Sequence, residues 1–214
     1  MPLRILVVSA TPAESEVTTA INGVELIPLV TGVGAVATAW TLARYLCGEQ
    51  MPDLAVNIGI AGSYNSDIQP GDVVMPVSDC FADAGIEDRS GILSLSEAGL
   101  QDPDELPYRS GRIIAENRFV SAASAFLKPV SAITVNTASG SLPTIARLSE
   151  KYHPDIETME GAAFFYVCSR EKIPFMSLRA ISNMVEPRDR GKWNIGLALA
   201  NLSVKLNEIL LLFK

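Results

Sequence analysis

The first strand constrains the fold most. Residues 3–9, Leu-Arg-Ile-Leu-Val-Val-Ser, form an almost continuous apolar run. A strand with one face in water alternates apolar and polar side chains. A strand without alternation is buried on both faces, as in a parallel sheet covered by helices on each side. Further strand-like runs occupy 24–31, 54–60, 73–77, 111–115, 132–136 and 175–182. Helical stretches fall between them: from the glycines at 32–34 to about 47, at 118–127 and at 142–152, then from 159–163 to the stop at Pro174, and finally at 193–213. This alternation predicts an α/β fold, a three-layer α/β/α sandwich around a mostly parallel, mixed central sheet, with 1–214 as one domain.

Composition removes several function classes. The formal net charge is −7, whereas nucleic-acid binding needs clustered Lys and Arg. No apolar run reaches the ~18 residues of a membrane span. The N-terminus lacks the apolar segment and small-residue cleavage site of a signal peptide. Cys47, Cys80 and Cys168 are scattered without zinc-site spacing, and His153 is the only histidine. A histidine triad or a metal cluster is therefore excluded, and His153 is expected at the end of helix 142–152. A cytoplasmic protein without cofactor follows.

Chemistry in α/β sheets gathers outside the carboxyl ends of the strands. Five polar or glycine-rich segments lie there. Thr11-Pro12-Ala13-Glu14 leaves the first strand and has two readings, a helix-capping box or a catalytic Glu14. Gly32-Val33-Gly34-Ala35-Val36-Ala37 matches GxGxxA, but no acidic residue ends the next strand as a dinucleotide site requires. Its bare N–H groups suit a water or an anion. Ile58-Gly59-Ile60-Ala61-Gly62-Ser63 reads as a strand dissolving into a loop, with glycines that let a flat ligand approach. Met159-Glu160-Gly161-Ala162 starts a helix, and Asn183 follows Ser182 at the end of the last strand. Residues 79–109 lack periodicity and are expected to cover the site or meet a partner subunit.

Taken in order, Pro-x-Glu, Thr-Gly-x-Gly, Gly-x-Ala-Gly-Ser, Met-Glu-Gly-Ala and Arg-Ala-Ile-Ser-Asn resemble the nucleoside phosphorylase/nucleosidase superfamily nearly end to end. The hydrolytic branch, typified by methylthioadenosine/adenosylhomocysteine nucleosidases, is the nearer one. Phe81-Ala82-Asp83 and the run Ser182-Asn183-Met184-Val185-Glu186-Pro187-Arg188 are similar to the futalosine hydrolases of menaquinone synthesis. The resemblance implies a nucleoside phosphorylase-like fold, a homodimer, and a nucleoside and water as reactants. Glu14 would hold and deprotonate the water. Glu160 would accept the ribose hydroxyls, with Met159 against the sugar. Backbone at Ile60, Ala61 and Gly62 would line the nucleoside, beside Ser182, and Trp193 would flank the 5′ substituent.

The sequence departs from the adenine-releasing pattern at Asn183, where those enzymes carry Asp. Asn is never an acid, but its NH₂ can donate to a 6-oxo group. This favours hypoxanthine or guanine as the leaving base; the alternative is an Asn that caps the following loop. A phosphorylase would need cations around phosphate, and only Arg44 and Arg179 keep that reaction open. An adenine-releasing nucleosidase and a non-enzymatic nucleoside sensor are the other readings. Arg188, Arg190 and Lys192 are either a clamp for a 5′ carboxylate, Arg188 foremost, or a solvated loop.

Overall fold

The computed structural model describes residues 2–16, 21–48, 51–88, 91–187 and 189–213. In chain order the elements are β1 (Leu3–Ser9), α1 (Pro12–Ser15), β2 (Val24–Val30), α2 (Ala35–Leu46), β3 (Leu54–Ser63) and β4 (Val73–Asp79). Then come the short strands β5 (Gly85–Asp88), β6 (Gly91–Ser94), β7 (Tyr108–Arg109) and β8 (Arg112–Ile114), followed by α3 (Arg118–Ala123) and β9 (Lys128–Thr134). The chain ends with α4 (Leu142–Tyr152), β10 (Ile156–Thr158), α5 (Gly161–Arg170), β11 (Phe175–Met184), a 3₁₀ turn at Arg190–Lys192 and α6 (Ile195–Leu211).

The α/β architecture expected from the alternating pattern is present. Residues Ile5 to Ser9 of β1 are buried, as its unbroken apolar run requires. β1 pairs in parallel with β2 on one side and β3 on the other. The sheet is mixed, and it also closes on itself. β11 runs parallel to β3 and antiparallel to β4, β4 is parallel to β9, β9 is parallel to β10, and β10 is antiparallel to β3. These five strands make a ring, with β1 and β2 extending it at one edge and β8 and β7 at the other. Each ring strand contributes to one small apolar cluster: Ala61, Val74, Val130 and Ala132, Ile156 and Ile181, with Ile68. The larger core binds the helices to the sheet through residues such as Leu42, Phe164, Phe165, Leu202 and Leu206.

Several boundaries move for physical reasons. β3 continues three residues past Ile60, because β11 supplies pairing as far as Ser63; the glycine-rich segment is strand, not loop. Helix α3 stops at Ala123, several residues before the expected end at 127. Pro129 has no N–H and disfavours helix at the residue before it, so the chain turns into β9, which begins at Lys128 instead of 132. His153 does end α4, exposed and left-handed at φ 42°. Ser141 occupies the N-cap of α4, but its hydroxyl bonds Thr144 Oγ1 at 3.0 Å and no backbone N–H. The irregular stretch contains the hairpin β5–β6 and contributes nothing to the site pocket described below. It is tied to α4, where Lys151 donates to the Ile92 carbonyl at 2.7 Å and pairs with Glu97. No helix among the described residues is long and apolar enough to cross a membrane.

Candidate active site

A cavity of about 200 Å³ opens at the carboxyl ends of β1, β3, β10 and β11. Glu14, Ile60, Ala61, Gly62, Met159, Glu160, Ser182, Asn183 and Trp193 all line it, so the structure brings these nine sequence candidates together. Arg188, and the side chain of Arg190, lie outside the described residues. Lys192, the third cation of that loop, pairs with Glu186 at 2.8 Å.

Of the two readings of Glu14, the structure shows the helix cap directly, and it places the same side chain in the cavity wall. Thr11 and Glu14 form the reciprocal capping box of α1, with Pro12 in the first turn. The same carboxylate is buried and reaches across to β3. Its Oε2 accepts from Ala10 N (3.2 Å), Thr11 N (3.0 Å) and Thr11 Oγ1 (3.0 Å), and its Oε1 accepts from Ile60 N (3.1 Å). The cap is therefore the device that fixes the carboxylate. Four donors balance its charge, as burial demands.

Glu160 precedes α5, and its Oε1 accepts from Gly34 N at 2.8 Å. The anion expected at the GxGxxA turn is thus the Glu160 carboxylate. Burial pushes its pKa up and the neighbouring Glu14 charge adds to this, while the Gly34 N–H and Arg179 oppose it. Arg179 itself is fully buried beside Gly59 of β3, bonded to Asn57 Oδ1 and to the Leu178 carbonyl. It does not line the cavity, and Arg44 is exposed on the last turn of α2. Among the described residues lining the cavity there is no Lys or Arg.

A second polar network supports Glu160 from below. Thr158 Oγ1 accepts from Gly161 N (3.2 Å) and Thr134 Oγ1 accepts from Ala162 N (2.7 Å), so two threonines satisfy the first N–H groups of α5. Thr134 in turn donates to Asp79 Oδ1 (3.1 Å), which also accepts from Cys80 N (2.7 Å). Asp79 Oδ2 is buried without a partner, and burial raises this pKa to about 7. Gly161 is required here, since a Cβ would overlap Asp79 Oδ2. The sequence pattern did not reveal this buried acid, because Asp79 stands where the periodicity fails.

At the other end of the cavity, β11 carries a bulge between Ile181 and Asn183. The extra residue re-aims the side chain that follows it. The Ser182 hydroxyl sits 2.7 Å from Asn183 Oδ1 and 3.3 Å from the Ala61 carbonyl, while Asn183 Nδ2 donates to the Met184 carbonyl at 2.9 Å. The local bond of the loop-capping reading is present, yet only one of two N–H groups is used. Nδ2 lies against Gly62, whose absent Cβ would come within 3.4 Å of it and 2.8 Å of Val185. Sequence reasoning did not single out Glu157, which is buried and lines the same end.

Comparison with known proteins places this fold and site in a class of enzymes that cleave N-glycosidic bonds. The sequence model of the Phosphorylase superfamily matches residues 7–212, and the chain belongs to that superfamily. It is 32% identical over 187 residues to the futalosine hydrolase of Streptomyces coelicolor, covering 85% of this chain and 77% of that one. It is 26% identical over 193 residues to the futalosine hydrolase of Thermus thermophilus (89% and 83%). Among solved structures, the methylthioadenosine/adenosylhomocysteine nucleosidase of Colwellia psychrerythraea, in complex with adenine, superposes with a TM-score of 0.81 over 98% of this chain and 95% of that one, at 19% identity. Within the superfamily the chain is an N-glycosyl hydrolase, a nucleosidase.

Proposed function

We propose that this nucleosidase hydrolyses a 6-oxopurine nucleoside, futalosine, to hypoxanthine and dehypoxanthine futalosine in menaquinone synthesis. The observation that carries this reading is the amide of Asn183, held by Ser182 with a spare N–H over Gly62. An amide stabilises negative charge on a 6-oxo base by donating to it and never needs to ionise. Both curated relatives above are futalosine hydrolases, which supports the same substrate.

The reaction passes through a sugar with oxocarbenium character, as in O-glycoside cleavage. Glu14 holds the attacking water at the end of the cavity near Ile60 and takes its proton. General-base help of this kind is worth typically 10²–10⁴-fold. Glu160 binds the ribose hydroxyls against Met159 and opposes the developing positive charge. Water is the acceptor because the described cavity wall has no cation to hold phosphate. The second reading, release of adenine from methylthioadenosine, draws on the fold shared with adenine-bound nucleosidases. Base release from futalosine, inosine and methylthioadenosine in phosphate-free buffer separates the two. Hypoxanthine release is expected, and strict dependence on phosphate or a preference for methylthioadenosine overturns the proposal.

The active form in this reading is a cytoplasmic homodimer. Val36 and Trp40 stand exposed on α2, next to Val33 of the cavity wall, and offer an apolar surface beside the site. Trp40→Glu is expected to give monomers in sedimentation; a wild-type monomer with full activity argues against the dimer.

A further inference from the structure

β3 has β11 along its whole length on one side, whereas on the other side β1 gives way to β10. At Gly62 the neighbours are therefore Glu157 on β10 and Asn183 on β11, both in register with it. Glu157, Gly62 and Asn183 form a row two inter-strand spacings long, about 10 Å, with a bare glycine at its centre. All three line the cavity. Glu14 touches β3 at Ile60, two residues or roughly 7 Å further back. The cavity thus has one end at Ile60, where the proposed function puts water and sugar, and a separate polar end at Gly62.

The Glu157 carboxylate is buried but not fully used. Oε1 accepts from Ser139 N (2.8 Å), and Oε2 accepts from Ser139 Oγ (2.6 Å) and Tyr64 OH (3.0 Å). A carboxylate has about four acceptor positions, so one is left. The Tyr64 phenol beside it is pushed above its ordinary pKa, first by its own burial, and stays a donor.

We infer that Glu157 reads the purine base, accepting the N1–H of a 6-oxopurine while Asn183, across Gly62, donates to the oxygen-bearing side. This deepens the proposed function and rests on it for the identity of the ligand. A 6-oxopurine presents an acceptor, O6, beside a donor, N1–H. Adenine presents the reverse, a donor beside the N1 lone pair. An acceptor-only carboxylate matches the first pattern and repels the second. A buried polar mismatch of this kind discriminates far better than a difference in size. The competing role, in which Glu157 only anchors loop 137–141 through Ser139, gives no reason for one base to be favoured.

The test is calorimetric binding of free hypoxanthine and free adenine to the wild type, to Glu157→Gln and to Glu157→Ala, with melting curves to establish folding. The wild type is expected to prefer hypoxanthine by at least about 10³-fold, approaching the roughly 10⁴–10⁵-fold of sites that read a hydrogen bond. Glu157→Gln should cut that preference at least ~10-fold, with hypoxanthine weakened and adenine unchanged or tightened, since a rotated amide can donate to N1. Glu157→Ala should lose the preference too and carries the test if the Gln variant does not fold. An unchanged ratio, or equal weakening of both bases, overturns the inference. Nucleoside cleavage is measured alongside. Cleavage of the 6-oxo nucleoside with an unchanged binding ratio removes Glu157 and leaves the proposed function standing. A ratio that collapses in the variants of a protein that cleaves no nucleoside removes the proposed function and leaves Glu157 as the base reader.

Discussion

Gly59 has no side chain where the Glu14 carboxylate crosses β3. A Cβ built there would lie 2.7 Å from Glu14 Oε1 and 3.5 Å from Arg179 Nη1. The neighbours cannot yield easily, because Arg179 is fully buried and Glu14 is held by four donors. Gly59→Ala is therefore expected to displace the Glu14 carboxylate without touching the Gly62 end of the cavity. Turnover should fall by about 10²-fold, the lower range for losing a general base, with KM changed less than threefold. Steady-state kinetics decide it: near-normal turnover means that Glu14 adapts, and its exact placement is not needed.

The two carboxylates are expected to fail in different ways. Glu14→Gln keeps an acceptor but loses the ability to take a proton from water, so kcat should fall by about 10²–10⁴-fold with binding nearly intact. Glu160→Gln alters the group to which the proposed function gives ribose binding and charge stabilisation, so kcat and KM should both worsen. Binding of a non-cleavable nucleoside analogue separates the effects. If Glu14→Gln turns over normally, the carboxylate serves only as a helix cap.

Much of this site was legible because strands and helices announce themselves by period, and carboxyl ends of strands are where polar residues have little structural reason to sit. Glu14, Glu160 and Asn183 were visible for that reason. What was not legible depends on pairing between distant segments. The antiparallel contact of β11 with β4, which closes the ring, has no local signature. The bulge at Ser182 is one extra residue against a partner more than 100 positions away. Glu157 looked like any acid before a helix, since only the register of β10 on β3 sets it opposite Gly62. Gly59 read as room for a ligand, and it is room for Glu14.

Asp79 gives a prediction in pH. Its folded pKa is about 7 against an ordinary 3.8, raised chiefly by burial. The native state therefore holds a proton that the unfolded chain has released. Stability from this group is complete below about pH 4, falls as pH rises towards 7, and is flat beyond. The slope in that window approaches about 1.4 kcal/mol per pH unit. Asp79→Asn removes the titration while keeping an acceptor for Thr134 and Cys80. Thermal melts from pH 4 to 8 are expected to show a flatter profile for the variant, with its relative stability improving towards pH 8. Parallel profiles for the two proteins mean that Asp79 stays ionised throughout.

Asn183→Asp tests the residue on which the substrate class rests. The wild-type amide uses one N–H on the Met184 carbonyl and keeps one over Gly62. An ionised Asp has no donor for either place and sets a negative charge against a 6-oxo oxygen. A protonated Asp has one O–H to serve both. In either state the 6-oxo nucleoside loses its partner in a buried site, where a missing hydrogen bond costs more than a missing methylene. Its kcat/KM is expected to fall by at least ~100-fold, about 2.7 kcal/mol at 1.36 kcal/mol per decade. A 6-amino nucleoside should lose less or gain, since a protonated Asp can donate to N7 and its carbonyl can accept from the amino group. The two substrates must share one 5′ group, so that binding of the arm cancels from the comparison. Proportional loss on both means that Asn183 does not read the base, and the choice of hypoxanthine then falls to Glu157 alone.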